Sequence, residues 1–388
     1  MAFHGGYPVT FRPLLFAAFV FATTAATAHA GVVNPDISVI GQPFARWTND
    51  ATDPGNKRWV LDPGEVETVF DAPLNPYARG TVVMSLSEPG IELEEGYFQL
   101  LRGLPGGLAL KGGKYRVGFG KLNPAHPHAY PFADRFHMLA TYLPGDESFN
   151  ETGISLSERI PAPGDLSLTA SLDWLNGNTF RLAREASGAS NDPLLTIGAD
   201  ADRPDESRAA VLGRLAAFSS IGDRSGLELG VSGSQGTNNV AAGARTTLIG
   251  ADAKAKLWNS ENSYLLLQGE FVHLDRDLAG WDSLTAAYTL TRVSPAGACL
   301  FADYNFATRY NVGASYERWQ QATVDRTWDQ AFKAFAGFAL LEETTAFRLD
   351  WDHDMPGSPP GAPSTPDAID TVTMRVIFSM GPHKAHQF

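Results

Sequence analysis

Residues 344–353 read Thr-Thr-Ala-Phe-Arg-Leu-Asp-Trp-Asp-His, and their order separates a helix from a strand. Phe347, Leu349 and Trp351 alternate with Arg348, Asp350 and Asp352. Strand side chains point to opposite faces every second residue, whereas a helical period of 3.6 would mix the two sets on every face. The stretch is therefore a strand with one apolar and one charged face. In 166–174, Leu166, Leu168, Ala170, Leu172 and Trp174 oppose Ser167, Thr169, Ser171 and Asp173. Residues 249–257, 283–291 and 371–379 alternate in the same way, with Ile377 as the exception in the last. Weaker alternation marks 63–71, 77–86, 90–101, 107–119, 152–160, 209–219, 225–234, 262–274, 297–306, 309–318 and 327–340.

These segments predict about 16 strands, within a range of 14–18, or about 22 residues per strand and connection over the 358 residues after Ala30. That spacing suits a meander of antiparallel hairpins. Tight-turn sequences at 104–107, 161–164 and 294–297 alternate with longer Pro-, Gly-, Asn- and Asp-rich links at 120–150, 176–208, 235–243 and 354–368. Gly112-Gly113 predicts a bulge within 107–119.

Composition says what surrounds such a sheet. Only 19% of the chain is charged while 44% is hydrophobic, and a soluble domain averages roughly 25% charged. The polar faces carry Ser, Thr, Gly, Asp and Arg rather than Lys and Glu, and the apolar faces carry Leu, Val, Ala and aromatics. Lipid outside and water inside require that pattern. Trp174, Trp258, Trp281, Trp319 and Trp328 fall at strand ends, where interfacial girdles sit. Short turns alternating with long loops fit a barrel as well.

Residues 1–30 read as a signal peptide, with Arg12, the apolar run Leu14 to Ala22 and the small-x-small site Ala28-His29-Ala30. No later run of apolar residues is long enough for a spanning helix. The expectation is an all-β transmembrane antiparallel β-barrel without a plug domain. It divides into signal peptide 1–30, a short periplasmic N-terminal segment 31–56 and the barrel 57–388, and it lies in the outer membrane of a Gram-negative-type bacterium, surrounded by outer-membrane lipid. The 43 acidic residues exceed the 30 basic ones, giving −13, or −14 once Arg12 is removed with the leader. That field repels nucleic acid. Cys299 is the single cysteine, which excludes an internal disulfide, and its strand position suits an inert thiol.

On the inner face the alternation places Arg79, Lys114, Arg116, Lys254, Lys256, Arg348, Asp350, Asp352 and Arg375 as channel-lining residues, together with Asp173, Glu228, Asp252, Glu270 and Asp303. Such groups set ion preference by charge and pore width. The 120–150 link holds His126, His128 and His137, with Asp134 nearby, and imidazole with carboxylate is chemistry that holds zinc. No cofactor is otherwise expected. Nucleophile-elbow, zinc-protease and phosphate-loop motifs are missing from the sequence, so no enzyme is expected. Were there an active site at a loop rim, His126, His128 and Asp134 would form it.

Glu94-Glu95-Gly96-Tyr97-Phe98, Leu104-Pro105-Gly106-Gly107-Leu108 and the run Gly113-Lys114-Tyr115-Arg116-Val117-Gly118-Phe119-Gly120-Lys121 resemble bacterial outer-membrane porin-like proteins, the broad group containing phosphate-selective porins. Asn123-Pro124-Ala125-His126-Pro127-His128 is similar to a subgroup with a His-rich loop, some of whose members are labelled zinc-regulated TonB-dependent receptors. The 26 residues of the expected periplasmic segment 31–56 are too few for the plug of such a receptor. The resemblance implies a channel for passive diffusion of small hydrophilic solutes or ions, with a tilt towards anions, and a homotrimeric assembly. A zinc-related uptake or binding protein is the second implication.

Overall fold

The computed structural model describes residues 34–381 apart from 89, 146–147, 182–206, 283–284, 286, 342–344, 360 and 363–365, so the leader and most of the 176–208 link lie outside the described residues. The chain forms a closed 16-strand antiparallel β-barrel. Strand β1 comprises Asp36–Gly41 and Phe44–Thr48, and β2 comprises Trp59–Asp62 and Val66–Pro73. Then follow β3 Ala78–Ser87, β4 Gly90–Leu100, β5 Ala109–Arg116, β6 Asn150–Pro161, β7 Leu166–Leu175, β8 Ala210–Ile221, β9 Ser225–Asn239, β10 Ala244–Ser260 and β11 Ser263–Asp282. β12 is Ala287–Val293 with Ala296–Phe306, and β13 Tyr310–Gln320, β14 Trp328–Leu341, β15 Thr345–Met355 and β16 Ile369–Met380 complete the wall. No described helix is long and apolar enough to cross a membrane.

Closure is made by β1 on β16, with Val39 opposite Met380 and Phe44 opposite Arg375, which removes the sheet edge. The barrel therefore starts at Asp36 rather than at residue 57. The segment 31–56, expected to precede the barrel, supplies its first strand. Pro43 breaks that strand in the middle because it has no N–H to donate, though its carbonyl still accepts from Val376 at 3.0 Å. A second correction offsets this one. The expected strands 283–291 and 297–306 are the two halves of β12, both paired along β11 and parted at Ser294-Pro295. The expected bulge at Gly112-Gly113 is missing too, since β5 pairs there without a shift of register.

The deciding stretch faces as its alternation required. Leu349 and Trp351 are 47% and 41% exposed on the outer wall, while Asp350 and Asp352 are 3% and 9% exposed inside. Inside the barrel, residues 117–149 leave the wall and fold back into the lumen. They carry a 3-10 turn at Pro127–Ala129 and a short helix α1, His137–Tyr142. Phe132, Phe136, Met138 and Leu139 of this segment are buried against Leu212, Leu248, Val272, Leu274, Phe301 and Phe335 of the wall. Burying each such side chain contributes about 1.5–3 kcal/mol. The protein thus has an apolar outer surface and a separate apolar core inside its own barrel.

Candidate functional site: the loop inside the lumen

Wall carboxylates hold the backbone of the loop. Glu270 of β11 accepts the N–H groups of Lys121 and Leu122 at 2.7 and 2.6 Å. Glu317 of β13 accepts those of His137 and Met138 at 3.0 and 2.9 Å, and Asp350 of β15 accepts that of Ala133 at 3.0 Å. These donors are the ones an irregular segment and the first turn of α1 leave without partners, and burial makes an unmet donor expensive. Gly120 has φ +64° and a Cβ there would come within 2.4 Å of Glu270, so the carboxylate reaches the loop only across a glycine. Cations complete the fastening: Arg375 donates to the Ala133 carbonyl at 2.8 Å, and Arg348 to that of Tyr130. Asn123 ties the two stems, donating to the carbonyls of Val117 and Phe149 and accepting the Phe149 N–H.

The second feature is a carboxylate and imidazole cluster. β4 pairs with β3 through a register shift at Val83/Met84, which leaves Glu94 as an extra residue. A bulge re-aims side chains, and here Glu94 and Glu95 both turn into the lumen and are buried. Together with Glu67 of β2 they surround His126. Its Nδ1 lies 3.0 Å from Glu67 Oε2 and 3.5 Å from Glu94 Oε2, and its Nε2 lies 3.3 Å from Glu95 Oε2. His128 stacks beside it, ring centres 5.6 Å apart, with Nδ1 3.4 Å from the same Glu67 oxygen. Burial by itself would lower the His126 pKa, but the neighbouring Glu67 and Glu95 carry it up to about 9.

His137 belongs elsewhere. It stacks on Trp319 with ring centres 5.2 Å apart, and its Nδ1 is 2.8 Å from Glu317. Burial lowers its pKa and the Glu317 and Asp354 carboxylates raise it, to about 9 overall. The three expected metal ligands are therefore divided between two sites. Asp134 also stands apart from His126 and His128, 3.6 Å from Arg375.

The expected lining residues divide as well. Arg79 pairs with Asp71, Arg116 with Glu94 at 2.9 Å and Asp352 with Lys333 at 2.8 Å. Arg348, Asp350 and Arg375 hold the loop. Lys114, expected on the inner face, falls instead on the outward face with Phe98, Gly112 and Ile154, and its ammonium reaches the Leu93 carbonyl at 2.6 Å at the rim because β5 ends two residues later. Lys254, Lys256 and Arg348 border a cavity of about 640 Å³ at the end carrying the short turns, also lined by His128 and Trp258. Glu92, Glu94, Arg116 and Arg181 border one of about 860 Å³ at the end carrying the long loops. Trp258 thus faces inwards, with Lys256 5.2 Å above its ring, and Trp319 is buried; neither joins a girdle, whereas Trp174 and Trp328 are exposed. The sequence reading missed Glu67, Glu95 and Glu317. The successive acids Glu94 and Glu95, in an otherwise alternating strand, were the signal for two of the inward carboxylates.

The barrel fold recurs among solved structures. The chain is similar over 89% of its length to the anion-selective porin of Comamonas acidovorans (TM-score 0.56, 11% identity, 98% of that chain). It is equally similar to the outer-membrane channel DcaP of Acinetobacter baumannii (0.56, 8%, 97%) and to OmpF of Salmonella typhi (0.55, 12%, 98%). The fold is that of the outer-membrane porins. No family model matches the chain. An uncharacterised protein of Aquifex aeolicus is 30% identical over 266 residues, 64% of this chain, and the match spans about half (52%) of that relative's length.

Proposed function

We propose that this protein is an outer-membrane porin-like channel through which small hydrophilic solutes, anions in preference, diffuse between two vestibules. The observation that carries the reading is a closed barrel whose lumen is narrowed from within by 117–149, leaving a cavity with charged side chains in its lining towards each end. Charge supports the preference. Lys254, Lys256, Arg309 and Arg348 face Glu261 and Asp303 in one vestibule, and Lys114, Arg116, Arg181 and Arg276 face Glu92, Glu94 and Glu151 in the other. Each lining is net basic, which enriches anions where low-dielectric walls focus the field. The overall acidity of the chain does not oppose this, because wall acids such as Glu270 and Glu317 are engaged by the loop. Purified protein in a planar bilayer is expected to give stepwise conductance, with a reversal potential in a salt gradient of the sign for anions. A folded barrel without conductance would refute the channel, and a cation-signed potential would refute only the preference.

A further inference from the structure

We infer that Glu67, Glu94 and His126, with His128 beside them, bind a divalent transition-metal ion that fastens the 117–149 loop to the barrel wall. One donor atom from each of Glu67, Glu94 and His126 lies within 4.8 Å of the others. Ligands about 2.0–2.1 Å from a tetrahedral Zn²⁺ stand about 3.3 Å from one another. The distances already described, 3.0, 3.5 and 3.4 Å for the pairs His126–Glu67, His126–Glu94 and His128–Glu67, bracket that edge. Glu67 Oε2 and His126 Nδ1 are both buried and face each other at 3.0 Å, and Glu67 is only 2% exposed. Carboxylate and imidazole atoms that converge from two strands and a loop form a donor set that one ion can share.

Charge and ligand type select the ion. Glu65, Glu67, Glu94 and Glu95 act on one another and on His126, and Arg116 and Lys111 are the cations that act on them. The carboxylates of Glu67, Glu94 and Glu95 outnumber those two cations by one, and a divalent ion offsets the excess. Mixed imidazole and carboxylate donors favour Zn²⁺ and its neighbours over Ca²⁺ or Mg²⁺. Glu67 and Glu94 come from β2 and β4, while His126 comes from the loop, so the ion would join wall to loop. The other grouping, His137 with Asp352 and Asp354, is already supplied with cationic and acidic partners: Lys333 lies on Asp352 at 2.8 Å and Glu317 on His137 at 2.8 Å.

The test uses the whole refolded barrel in detergent, stripped with chelator and titrated with Zn²⁺ and then Co²⁺. One ion per chain is expected, with the intense visible absorption of low-coordinate Co²⁺. Glu67→Gln, which keeps the shape of the side chain, and His126→Ala should each weaken Zn²⁺ binding by more than about 100-fold, beyond the 10–100-fold that an outer-shell partner accounts for. His137→Ala should leave it unchanged. A wild-type barrel that keeps its heat-modifiable mobility but takes up no metal would overturn the inference. So would binding that survives Glu67→Gln and His126→Ala, or that falls equally in His137→Ala. Conductance plays no part in this readout, so the site and the channel fail separately.

Discussion

The wall of the barrel and the loop inside it bury apolar side chains by opposite rules. On β15 the apolar set, Phe347, Leu349 and Trp351, points outwards and the acids point in. In the loop, Phe132, Phe136 and Leu139 are buried and the polar backbone is turned to the wall's acids. The wall can face apolar side chains outwards only because lipid covers them and because a closed sheet satisfies its own backbone. An irregular segment cannot satisfy its backbone alone. It enters the lumen only where Glu270, Glu317 and Asp350 accept its N–H groups. The inward acids of the wall are thus the loop's missing hydrogen-bond partners, and the two regions specify each other.

The largest expected effect follows from removing the centre of the inner core. Phe132 packs 5.1–5.5 Å, centre to centre, from Tyr130, Phe136, Phe301 and Phe335. Phe132→Ala should cost the docked loop about 3–5 kcal/mol. The expected outcome is single-channel conductance at least doubled and trypsin cleavage after Arg135, with the heat-resistant mobility of the barrel retained. Unchanged conductance would show that the loop is not the constriction. The matching break in the wall is Leu349→Arg, a charge placed against lipid in the middle of β15, which should cost about 2–4 kcal/mol in urea unfolding from vesicles. Asp350→Asn, one residue away and facing inwards, keeps an oxygen that can accept the Ala133 N–H and should lower that unfolding midpoint by clearly less than Leu349→Arg. Equal losses for both variants would contradict the assignment of faces.

Alternation made the wall legible because lipid and water impose it residue by residue. It failed where a third environment intervened. Asp36–Gly41 escaped notice because the inward Ile40 borders a cavity beside the loop instead of open water, which blurs the polar face. β12 was divided in two because Pro295 interrupts a strand that its partner β11 carries through. The loop lay beyond a period-two reading altogether, though Phe132, Phe136, Leu139 and Leu143 form an apolar stripe at helical spacing, too apolar for a loop in water. His126, His128 and His137 were legible as chemistry but not as geometry. Which carboxylates they meet depends on the β4 bulge and on strands far away in sequence, and those enter only through the closed barrel.

The smallest effect tests how electrostatics, as against packing, holds the loop. His137 meets Glu317 and Asp354, with Asp352 and Lys333 behind them. Its pKa is near 6.5 when the loop is free and about 9 when docked. A raised pKa stabilises the docked state fully below 6.5, and that contribution is lost as pH rises through 9. Because the ring is partly exposed, with 39% of its side chain open, the term should stay below about 1 kcal/mol, as for other exposed pairs. Conductance should therefore drift upwards between pH 6.5 and 9.5, and His137→Gln should reduce that drift, leaving the part that His126 contributes, without changing conductance at pH 9.5. A drift of the same size in the variant would assign the pH response to other groups and leave the aromatic core as the main force that keeps this end of the loop inside the barrel.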